Sequence, residues 1–323
     1  FMGKFIKKLS KDLKSKKVKA TILFTEGWNK TIQEAAIQLK KEGIVEPVLL
    51  FEKKNNINAI KNIKQIIMSD IKLDYYAKRL YEIRKHKNLS IEEAQVLCSK
   101  PNYFSALLLE RKKVDGVVCG IEYTTKDTLR AALQVIGKSK KVELVSSIMF
   151  MEKSDDILIF ADVSLNLNPN SKELASIALE SARFSSKILN KKITTALLSY
   201  STNGSGAGES VDKVREAYNL IKNKKVKDVE FFGEIQFDAA IDKNVRNKKV
   251  KSMKWKNNAN LFIFPNLDSA NIGYKIMERL SNDVVAIGPV VVGLNKPMND
   301  LSRGASVEAA KSIAYITAFQ SLK

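Results

Sequence analysis

Short apolar runs alternate with amphipathic stretches along almost the whole sequence. This alternation constrains the fold most, because strands separated by helices form βα units and a mostly parallel sheet. The predicted strands are 19–25, 47–51, 116–120, 157–163, 194–200, 229–232, 260–264 and 284–292. The predicted helices are 30–42, 57–67, 91–99, 103–112, 128–135, 171–189, 211–222, 270–280 and 307–322. Ligands of such sheets bind beyond the carboxyl ends of the strands, so the segments that follow strands are the candidate sites.

Composition predicts a folded protein of the cytoplasm. The 323 residues leave room for two domains, and a hydrophobic fraction of 45% is enough to bury a core. The apolar stretches are shorter than the ~20 residues of a membrane helix, and the Lys-rich first residues lack the apolar segment of a secretory signal. The two cysteines, Cys98 and Cys119, form no disulfide framework. We therefore expect no membrane partner.

The formal net charge of +20 raises the possibility of a nucleic-acid partner. However, the Lys residues that carry most of this charge are spread over the whole chain, and no DNA-binding or zinc motif accompanies them. A solvated basic surface is the simpler interpretation, and it would also attract a polyanionic small molecule. We predict no nucleic-acid partner, and a salt-sensitive interaction with duplex DNA would contradict this prediction.

The segment 288–304 is a Gly/Pro/Asn-rich loop between an apolar strand and a helix with Ser306 as its predicted N-cap. Polar groups there would lie near the positive end of a helix, which favours anions. Arg303 can bind a phosphate through two parallel hydrogen bonds, and Ser302 can hydrogen-bond a carbonyl or phosphoryl oxygen. The same residues also suit a plain turn and cap, so the pattern alone leaves both interpretations open.

Three further segments carry polar or basic side chains. The glycine-rich segment 201–210 joins a strand to a helix, and its N–H groups could approach a phosphate, although it lacks the Gly-Lys-Ser/Thr of a P-loop. Arg130 follows a run of capping hydroxyls, and Arg84 belongs to the segment 80–87, which we expect to end a further helix. His86 is the sole histidine and lies in a basic run, which argues against a catalytic triad or a histidine-based metal site. Any chemistry would then use Ser, Arg, Lys and carboxylates.

Together these segments resemble the phosphate acetyltransferase family, which also includes phosphate butyryltransferases. The resemblance is most specific in Gly-Glu-Ile-Gln-Phe-Asp-Ala-Ala at 233–240 and in Asn-Asp-Leu-Ser-Arg-Gly at 299–304. It implies an α/β fold of two domains with mostly parallel sheets flanked by helices, similar to isocitrate and isopropylmalate dehydrogenases, with an interdomain cleft. The implied domains are 1–143 plus 297–323 and 144–296.

The resemblance also implies a reaction and its partners. The reaction is the reversible conversion of acetyl-CoA and phosphate into acetyl phosphate and CoA, with no metal in the chemical step. Coenzyme A, acetyl-CoA and phosphate would be substrates rather than bound cofactors. The family resemblance further implies a homodimer, and acetate metabolism through acetate kinase.

The site residues are likewise implied by the resemblance. Arg303 would hold the phosphate of acetyl phosphate, Ser302 would stabilise developing charge, and Arg84 and Arg130 would bind coenzyme A. The remaining residues assigned to substrate binding are Thr125, Ser201, Thr202, Gly204, Ser205, Asn271, Lys275, Asn299 and Asp300.

One departure from the family pattern concerns the general base. Relatives carry an Asp in the last helix that is proposed to deprotonate the CoA thiol, and the matching position here is Ala309. Glu308 precedes it, but one helical step rotates a side chain by ~100°. Losing a general base costs roughly 10²–10⁴ in rate. Three explanations remain open: Glu308 serves as the base, Arg303 and the helix end assist ionisation of the thiol, or activity is low.

The resemblance leaves two alternative functions within the family. The first is a phosphate butyryltransferase, because the volume of the acyl pocket cannot be deduced from the sequence. The second is a catalytically weak regulatory CoA-binding member, which Ala309 favours. Activity on butyryl-CoA relative to acetyl-CoA, and residual turnover, distinguish these alternatives.

Overall fold

The structure is a computed structural model that describes residues 3–16, 19–54, 60, 62–250 and 257–322. The chain divides into two compact units. Unit 1 comprises Phe1–Ser139 and Leu294–Lys323, and unit 2 comprises Lys140–Gly293. The boundaries expected from the sequence, at 143/144 and 296/297, stay a prediction about where independently folding domains end. None of the helices in the described ranges is long and apolar enough to cross a membrane.

Eleven strands occur among the described residues. In chain order they are β1 (Thr21–Phe24), β2 (Glu46–Phe51), β3 (Lys64–Ile67), β4 (Gly116–Cys119), β5 (Ser146–Lys153), β6 (Asp156–Ala161), β7 (Ile193–Leu198), β8 (Val229–Ile235), β9 (Leu261–Ile263), β10 (Val284–Val292) and β11 (Met298–Asp300).

Twelve α-helices accompany the strands in the same part of the chain. They are α1 (Lys4–Lys14), α2 (Lys30–Glu42), α3 (Asp74–Arg84), α4 (Ile91–Cys98), α5 (Pro101–Glu110), α6 (Thr125–Ala131), α7 (Ser171–Leu189), α8 (Glu209–Ile221), α9 (Phe237–Ile241), α10 (Lys243–Lys249), α11 (Leu267–Leu280) and α12 (Val307–Ser321). Short 3-10 turns cover Met68–Asp70 and Lys85–Lys87, and a π-helical turn, Ala132–Ile136, extends α6.

The sheet of unit 1 is parallel throughout, in the order β11–β4–β1–β2–β3. Strands β1, β2, β4 and β11 are short and almost entirely buried, as expected of a parallel sheet covered on both faces, whereas the edge strand β3 is partly exposed. Parallel strands end at the same edge, so the residues after β1, β4 and β11 lie side by side. The Leu301 N–H, for example, donates to the Cys119 carbonyl at 2.7 Å. This carboxyl edge is where the predicted site residues of unit 1 are concentrated.

Helix α12 anchors the last strand of unit 1. It is buried over most of its length, including the ammonium-bearing Lys311, which donates to Gln38 Oε1 of α2 at 3.0 Å. The Asn299 amide of β11 donates to Thr317 Oγ1 at 2.8 Å and to Gln320 Oε1 at 2.7 Å, both on α12. These buried bonds fix β11 and the turn that follows it.

The sheet of unit 2 has the order β10–β5–β6–β9–β7–β8. Strands β6, β9, β7 and β8 are parallel to one another. At one edge of the sheet, β5 pairs antiparallel with β6, and β10 pairs antiparallel with β5. Helix α7 begins with a capping box in which Asn170 and Glu173 satisfy each other's backbone N–H groups. The segments after β6, β7 and β8 again share one edge, and the glycine-rich loop is among them.

The predicted α/β fold with mostly parallel sheets is confirmed, and α2, α7 and β10 have the predicted bounds. The predicted helix 57–67 is wrong, because Lys64–Ile67 forms β3. Residues 55–59 and 61 lie outside the described residues. The short Lys-Gln-Ile-Ile run suits either structure, and pairing with β2 satisfies its backbone as a strand. The sequence analysis also missed β5, β11, α1, α9 and α10.

Candidate active site

The turn after β11 exposes two adjacent polar side chains that the resemblance assigns to catalysis. Leu301 is buried, whereas Ser302 and Arg303 are exposed. The Ser302 carbonyl accepts from the Ala305 N–H at 3.0 Å, and Ser306 caps α12 through the Ala309 N–H at 3.2 Å. No described residue forms a hydrogen bond or an ion pair with the Arg303 side chain. The guanidinium is therefore available to a ligand just ahead of a helix N-terminus, where anions are favoured.

A pocket of about 770 Å³ lies in unit 1, within the size range of small-molecule sites. Its lining is polar and carries four cationic side chains against three carboxylates. The cations are Arg84, Lys87, Lys100 and Arg130, and the carboxylates are Glu52, Glu93 and Asp127. The excess of positive charge suits a phosphorylated ligand.

Tyr103 shows that the two predicted arginines lie close together. Its hydroxyl donates to Gln134 Oε1 at 2.8 Å. Burial raises the pKa of Tyr103, and the positive charges of Arg130 and Arg84 both counteract that rise. Arg84 ends α3 and Arg130 lies near the end of α6, so two helices bring their cations to one phenol. The sequence analysis gave Tyr103 no role in the site.

Thr125 and Asp300, both predicted from the resemblance, form a direct pair. The Thr125 hydroxyl donates to Asp300 Oδ2 at 2.6 Å. Asp300 is only 2% exposed, and its Oδ1 accepts no hydrogen bond from the described residues. Asn299 is fully buried and bound to α12. Direct contact of Asn299 or Asp300 with a substrate remains a prediction, since both side chains lie in the interior.

Burial sets the acidity of Asp300. It raises the pKa of Asp300 to about 6, the hydroxyls of Thr125 and Thr128 oppose the rise, and the carboxyl of Glu26 adds to it. The backbone of Gly120 lies against this side chain. A Cβ at position 120 would be 2.0 Å from Asp300 Oδ1, and the φ of +108° also favours glycine.

Glu26 is a site residue that the sequence analysis missed. It follows β1, is 1% exposed, and its Oε1 accepts the Gly120 N–H at 2.7 Å. Longer contacts of 3.4 and 3.5 Å join the same oxygen to the N–H groups of Glu122 and Tyr123. Burial raises the pKa of Glu26, and these N–H groups oppose the rise. Glu26 thereby fixes the loop into α6. A carboxylate directly after a buried strand was the available signal.

The glycine-rich loop of unit 2 is held by a buried carboxylate. Glu234 Oε1 accepts the Ser201 hydroxyl and the Gly204 N–H, each at 2.9 Å. Arg215 donates to both oxygens of Glu234, also at 2.9 Å. Burial alone would raise the pKa of Glu234, but Arg215, Gly204 and Ser201 outweigh it and lower the pKa. Glu234 and Arg215 also escaped the sequence analysis, although Glu234 belongs to a motif it identified.

The predicted residues of this loop differ in exposure. Ser201 and Thr202 are buried, and the Thr202 hydroxyl donates to Gln236 Oε1 at 3.2 Å. Gly204 and Ser205 are exposed, and Ser205 Oγ accepts the Thr202 N–H at 2.9 Å while its own proton stays free to donate. The first two residues maintain the loop, and the last two face solvent.

The other two predicted residues of unit 2 lie on α11. The Asn271 amide donates to the Val163 carbonyl at 3.1 Å and so ties α11 to the segment after β6. Lys275 is exposed, with its Nζ 5.9 Å from the ring centroid of Tyr274.

Glu308 and the two cysteine thiols are side chains that could act as the general base only if their surroundings permit it. Glu308 Oε1 lies 3.6 Å from Lys311 Nζ, which also pairs with Glu42 at 2.7 Å. Burial raises the pKa of both cysteine thiols. The described residues contain no cluster of three or more His, Cys, Asp or Glu side chains that could hold a metal.

Comparison with known proteins identifies the family. Residues 4–318 match the family described as phosphate acetyl/butaryl transferase. A Mycoplasma genitalium phosphate acetyltransferase is 43% identical over 316 residues, covering 97% of this chain and 98% of that protein. The structure of a Streptococcus pyogenes phosphotransacetylase aligns with a TM-score of 0.90 at 36% identity, covering 98% of this chain and 99% of that one.

A proposed 4-hydroxythreonine-4-phosphate dehydrogenase from Salmonella typhimurium shares the fold alone. Its TM-score is 0.52 at 11% identity, covering 95% of this chain and 100% of that one. This distant likeness agrees with the expected similarity to dehydrogenases. The match to the family over residues 4–318 and the two close relatives show that the chain belongs to the phosphate acetyl/butaryl transferase family.

Proposed function

We propose that this protein is a phosphate acetyltransferase that interconverts acetyl-CoA plus phosphate and acetyl phosphate plus CoA. The observation that carries the proposal is the exposed Ser302–Arg303 turn at the carboxyl edge of the unit 1 sheet, in a chain that matches the family over residues 4–318. Relatives at 43% and 42% identity are named phosphate acetyltransferases, which favours acetyl over butyryl transfer.

The chemistry follows from the two side chains of this turn. In the direction of acetyl-CoA formation, the CoA sulfur attacks the acetyl carbonyl and the bond from that carbon to the phosphoryl oxygen breaks. Negative charge develops on the carbonyl oxygen and then on the departing phosphate. The Ser302 hydroxyl donates to the first, and the Arg303 guanidinium donates two parallel hydrogen bonds to the second. Hydrogen-bond donors that are already in position before the reaction stabilise this charge without having to reorganise.

Arg84 and Arg130 bind the phosphates of coenzyme A in the unit 1 pocket. The pocket volume, its four cations and the position of both guanidiniums near Tyr103 support this assignment. Neither arginine has a hydrogen bond or an ion pair with another described side chain, so each can donate to a ligand.

Replacing Arg84 or Arg130 with Ala is expected to raise KM for CoA by about 10- to 100-fold, the value of one lost charged hydrogen bond. The kcat should change little, because these contacts lie away from the reacting carbon and are made in the ground state as well. Steady-state rates with CoA varied at saturating acetyl phosphate measure both. The matched control is Lys126→Ala. Lys126 is an exposed cation on α6, the helix of Arg130, and does not line the pocket. A fall in kcat at constant KM would contradict the assignment.

The remaining residues are proposed to bind substrate as the resemblance implies. Loop 201–205 takes part in phosphate binding, and the exposure of Gly204 and Ser205 supports this role. Thr125, Asn271, Lys275, Asn299 and Asp300 complete the proposed set. Glu308 is one candidate for the base because it precedes Ala309, and the pH–rate profile of Glu308→Gln distinguishes it from other carboxyl groups.

The test of the proposed function is turnover of CoA and acetyl phosphate, followed by thioester absorbance. We expect acetyl-CoA to form in this assay. In the reverse reaction with phosphate, we expect acetyl-CoA to be preferred over butyryl-CoA by at least ~10-fold, since the size of a pocket discriminates by about that factor per methylene group. Preference for butyryl-CoA would make the protein a butyryltransferase. Binding of CoA without turnover would make it a regulatory member of the family.

We further propose a cytoplasmic homodimer that uses its substrates without a bound cofactor or metal and passes acetyl phosphate to acetate kinase. The exposed face of α11 supports a second copy. Ile272, Ile276 and Leu280 follow one another at four-residue spacing and are 57%, 53% and 80% exposed. Light scattering of the purified chain measures the oligomeric state.

A further inference from the structure

The reaction needs a group that takes the proton of the CoA thiol, and the inference below rests on the proposed function. The family position for this group is Ala309. Glu308 has Lys311 at 3.6 Å, His86 is exposed in the basic 3-10 turn Lys85–Lys87, and both thiols are buried. The carboxyl that lies closest in sequence before the Ser302–Arg303 turn is Asp300.

Asp300 has the geometry of a hydrogen-bonded proton acceptor. Its Oδ2 accepts the Thr125 hydroxyl at 2.6 Å, and its Oδ1 has no hydrogen-bond donor among the described residues. A buried carboxylate with an unfilled oxygen costs free energy unless it takes up a proton. Cys119, the register partner of Asp300 on β4, does not compete as the base, because it is a buried thiol whose pKa is raised.

Thr125 connects this carboxyl with the surface. It is partly exposed, whereas Asp300 is only 2% exposed. The same stretch of chain reaches the pocket that holds Arg84 and Arg130, which is lined by Tyr123 and Asp127 but not by Thr125 itself. A hydroxyl that donates inward to a carboxylate keeps its lone pairs for a donor that arrives from outside.

We propose that Asp300 accepts the proton of the CoA thiol through the hydroxyl of Thr125. Thr125 Oγ1 takes the thiol proton while its own proton moves to Asp300 Oδ2. The electron pair left on sulfur forms the new C–S bond, and the bond between the acetyl carbon and the phosphoryl oxygen breaks. The proton then returns through Thr125 to the departing phosphate, which leaves as hydrogen phosphate. No proton is gained or lost overall.

The groups around Asp300 suit this role. Glu26 faces it from the end of β1, Cys119 from β4, and Thr125 and Thr128 from α6. Burial, with a further contribution from Glu26, raises the pKa of Asp300 to about 6. Such a carboxyl is ionised at neutral pH, yet it is more basic than an ordinary Asp. Because the ionised form accepts the proton, the rate should fall as the pH drops through this value.

The experiment is the pH profile of kcat/KM for CoA in the wild type, Asp300→Asn, Thr125→Val and Thr125→Ser. We expect the wild-type rate to fall below a pH of about 6. In Asp300→Asn and Thr125→Val the rate at neutral pH should drop roughly 10²-fold, and it should then rise with pH towards the thiol pKa of ~8.5. Thr125→Ser keeps the hydroxyl and should restore the wild-type shape.

Two further variants sharpen the test. Glu26→Gln removes a nearby negative charge and should move the acid limb to lower pH, which a purely structural role of Asp300 would not cause. Retention of the wild-type limb in Asp300→Asn, or its loss in Glu308→Gln instead, overturns the proposal. Should Asp300→Asn fail to fold by circular dichroism, the Thr125→Val and Thr125→Ser pair decides. Absence of wild-type turnover would overturn the proposed function itself, which is a separate outcome.

Discussion

Replacing Arg303 with Ala is expected to lower kcat/KM for acetyl phosphate by about 10³-fold, the upper range for loss of one preorganised donor to developing charge. Arg303→Lys keeps the charge but not the planar fork, so a smaller loss of about 10- to 100-fold is expected. The side chain is exposed and has no hydrogen bond or ion pair with the described residues, so thermal stability should not change. Initial rates with acetyl phosphate varied, together with thermal melts, measure both quantities.

The matched control for Arg303 is Arg279→Ala. Arg279 is also exposed, at 82% for its side chain, and its one ion pair with the described residues is a 4.0 Å contact with Glu278. Its loss should leave the kinetics within experimental error. If Arg303→Ala kept activity within about twofold of the wild type, the guanidinium would not act in the transition state.

Replacing Gly120 with Ala is expected to destabilise unit 1 by about 3 to 5 kcal/mol, through overpacking and a positive φ together. The new Cβ would lie 2.0 Å from Asp300 Oδ1 and 2.8 Å from the Leu301 carbonyl. Neither neighbour can move freely, because Thr125 holds Asp300 and the Leu301 backbone is paired with Cys119. Urea denaturation measures the loss, and hydrogen exchange of residues 116–125 localises it to this edge of the sheet.

Gly43→Ala separates backbone strain from crowding. Gly43 has a φ of +68° at the end of α2, and the one described atom that a Cβ there would meet within 4 Å is Lys19 Nζ, at 3.4 Å. That variant should cost about 1 kcal/mol, the price of a left-handed Ala. Equal losses in the two variants would show that the contact with Asp300 does not resist the added methyl group.

Elements with a strong local pattern were predictable from the sequence. Helices α2 and α7 have clear amphipathic periodicity and side-chain caps, Asn29 and Asn170. By contrast, β5 combines Ser with a run of Ile, Met and Phe that has no alternation, and β11 has three residues, two of them polar. Strand β11 depends on its pairing with β4, and β5 is paired with β10 as well as with its hairpin neighbour β6. The pairings with β4 and β10 are distant in the sequence, so no local pattern predicts them.

The candidate site residues likewise differ in how far a local sequence pattern reveals them. Ser302 and Arg303 could be proposed from the sequence because two adjacent residues of one motif would carry the chemistry, whatever the fold around them. Glu26 and Glu234 were missed because their roles consist of contacts with distant backbone N–H groups, such as those of Gly120 and Gly204. A carboxylate's partners across 30 or more residues are not readable from its neighbours. Family resemblance supplied Arg84 and Arg130, which the local pattern left ambiguous.

The order of the chain has a consequence for synthesis on the ribosome. The chain leaves unit 1 after Ser139 and returns at Leu294, so β11 and α12 are translated after all of unit 2. Until then the face of Gly116 that Thr317 covers stays open, and β4 lacks its neighbour β11 in the sheet. Nascent chains emerge at about 5–20 residues per second, and domains fold as units. Unit 2, which is continuous in sequence, is thus the first that can complete its fold, and the Ser302–Arg303 turn is assembled last.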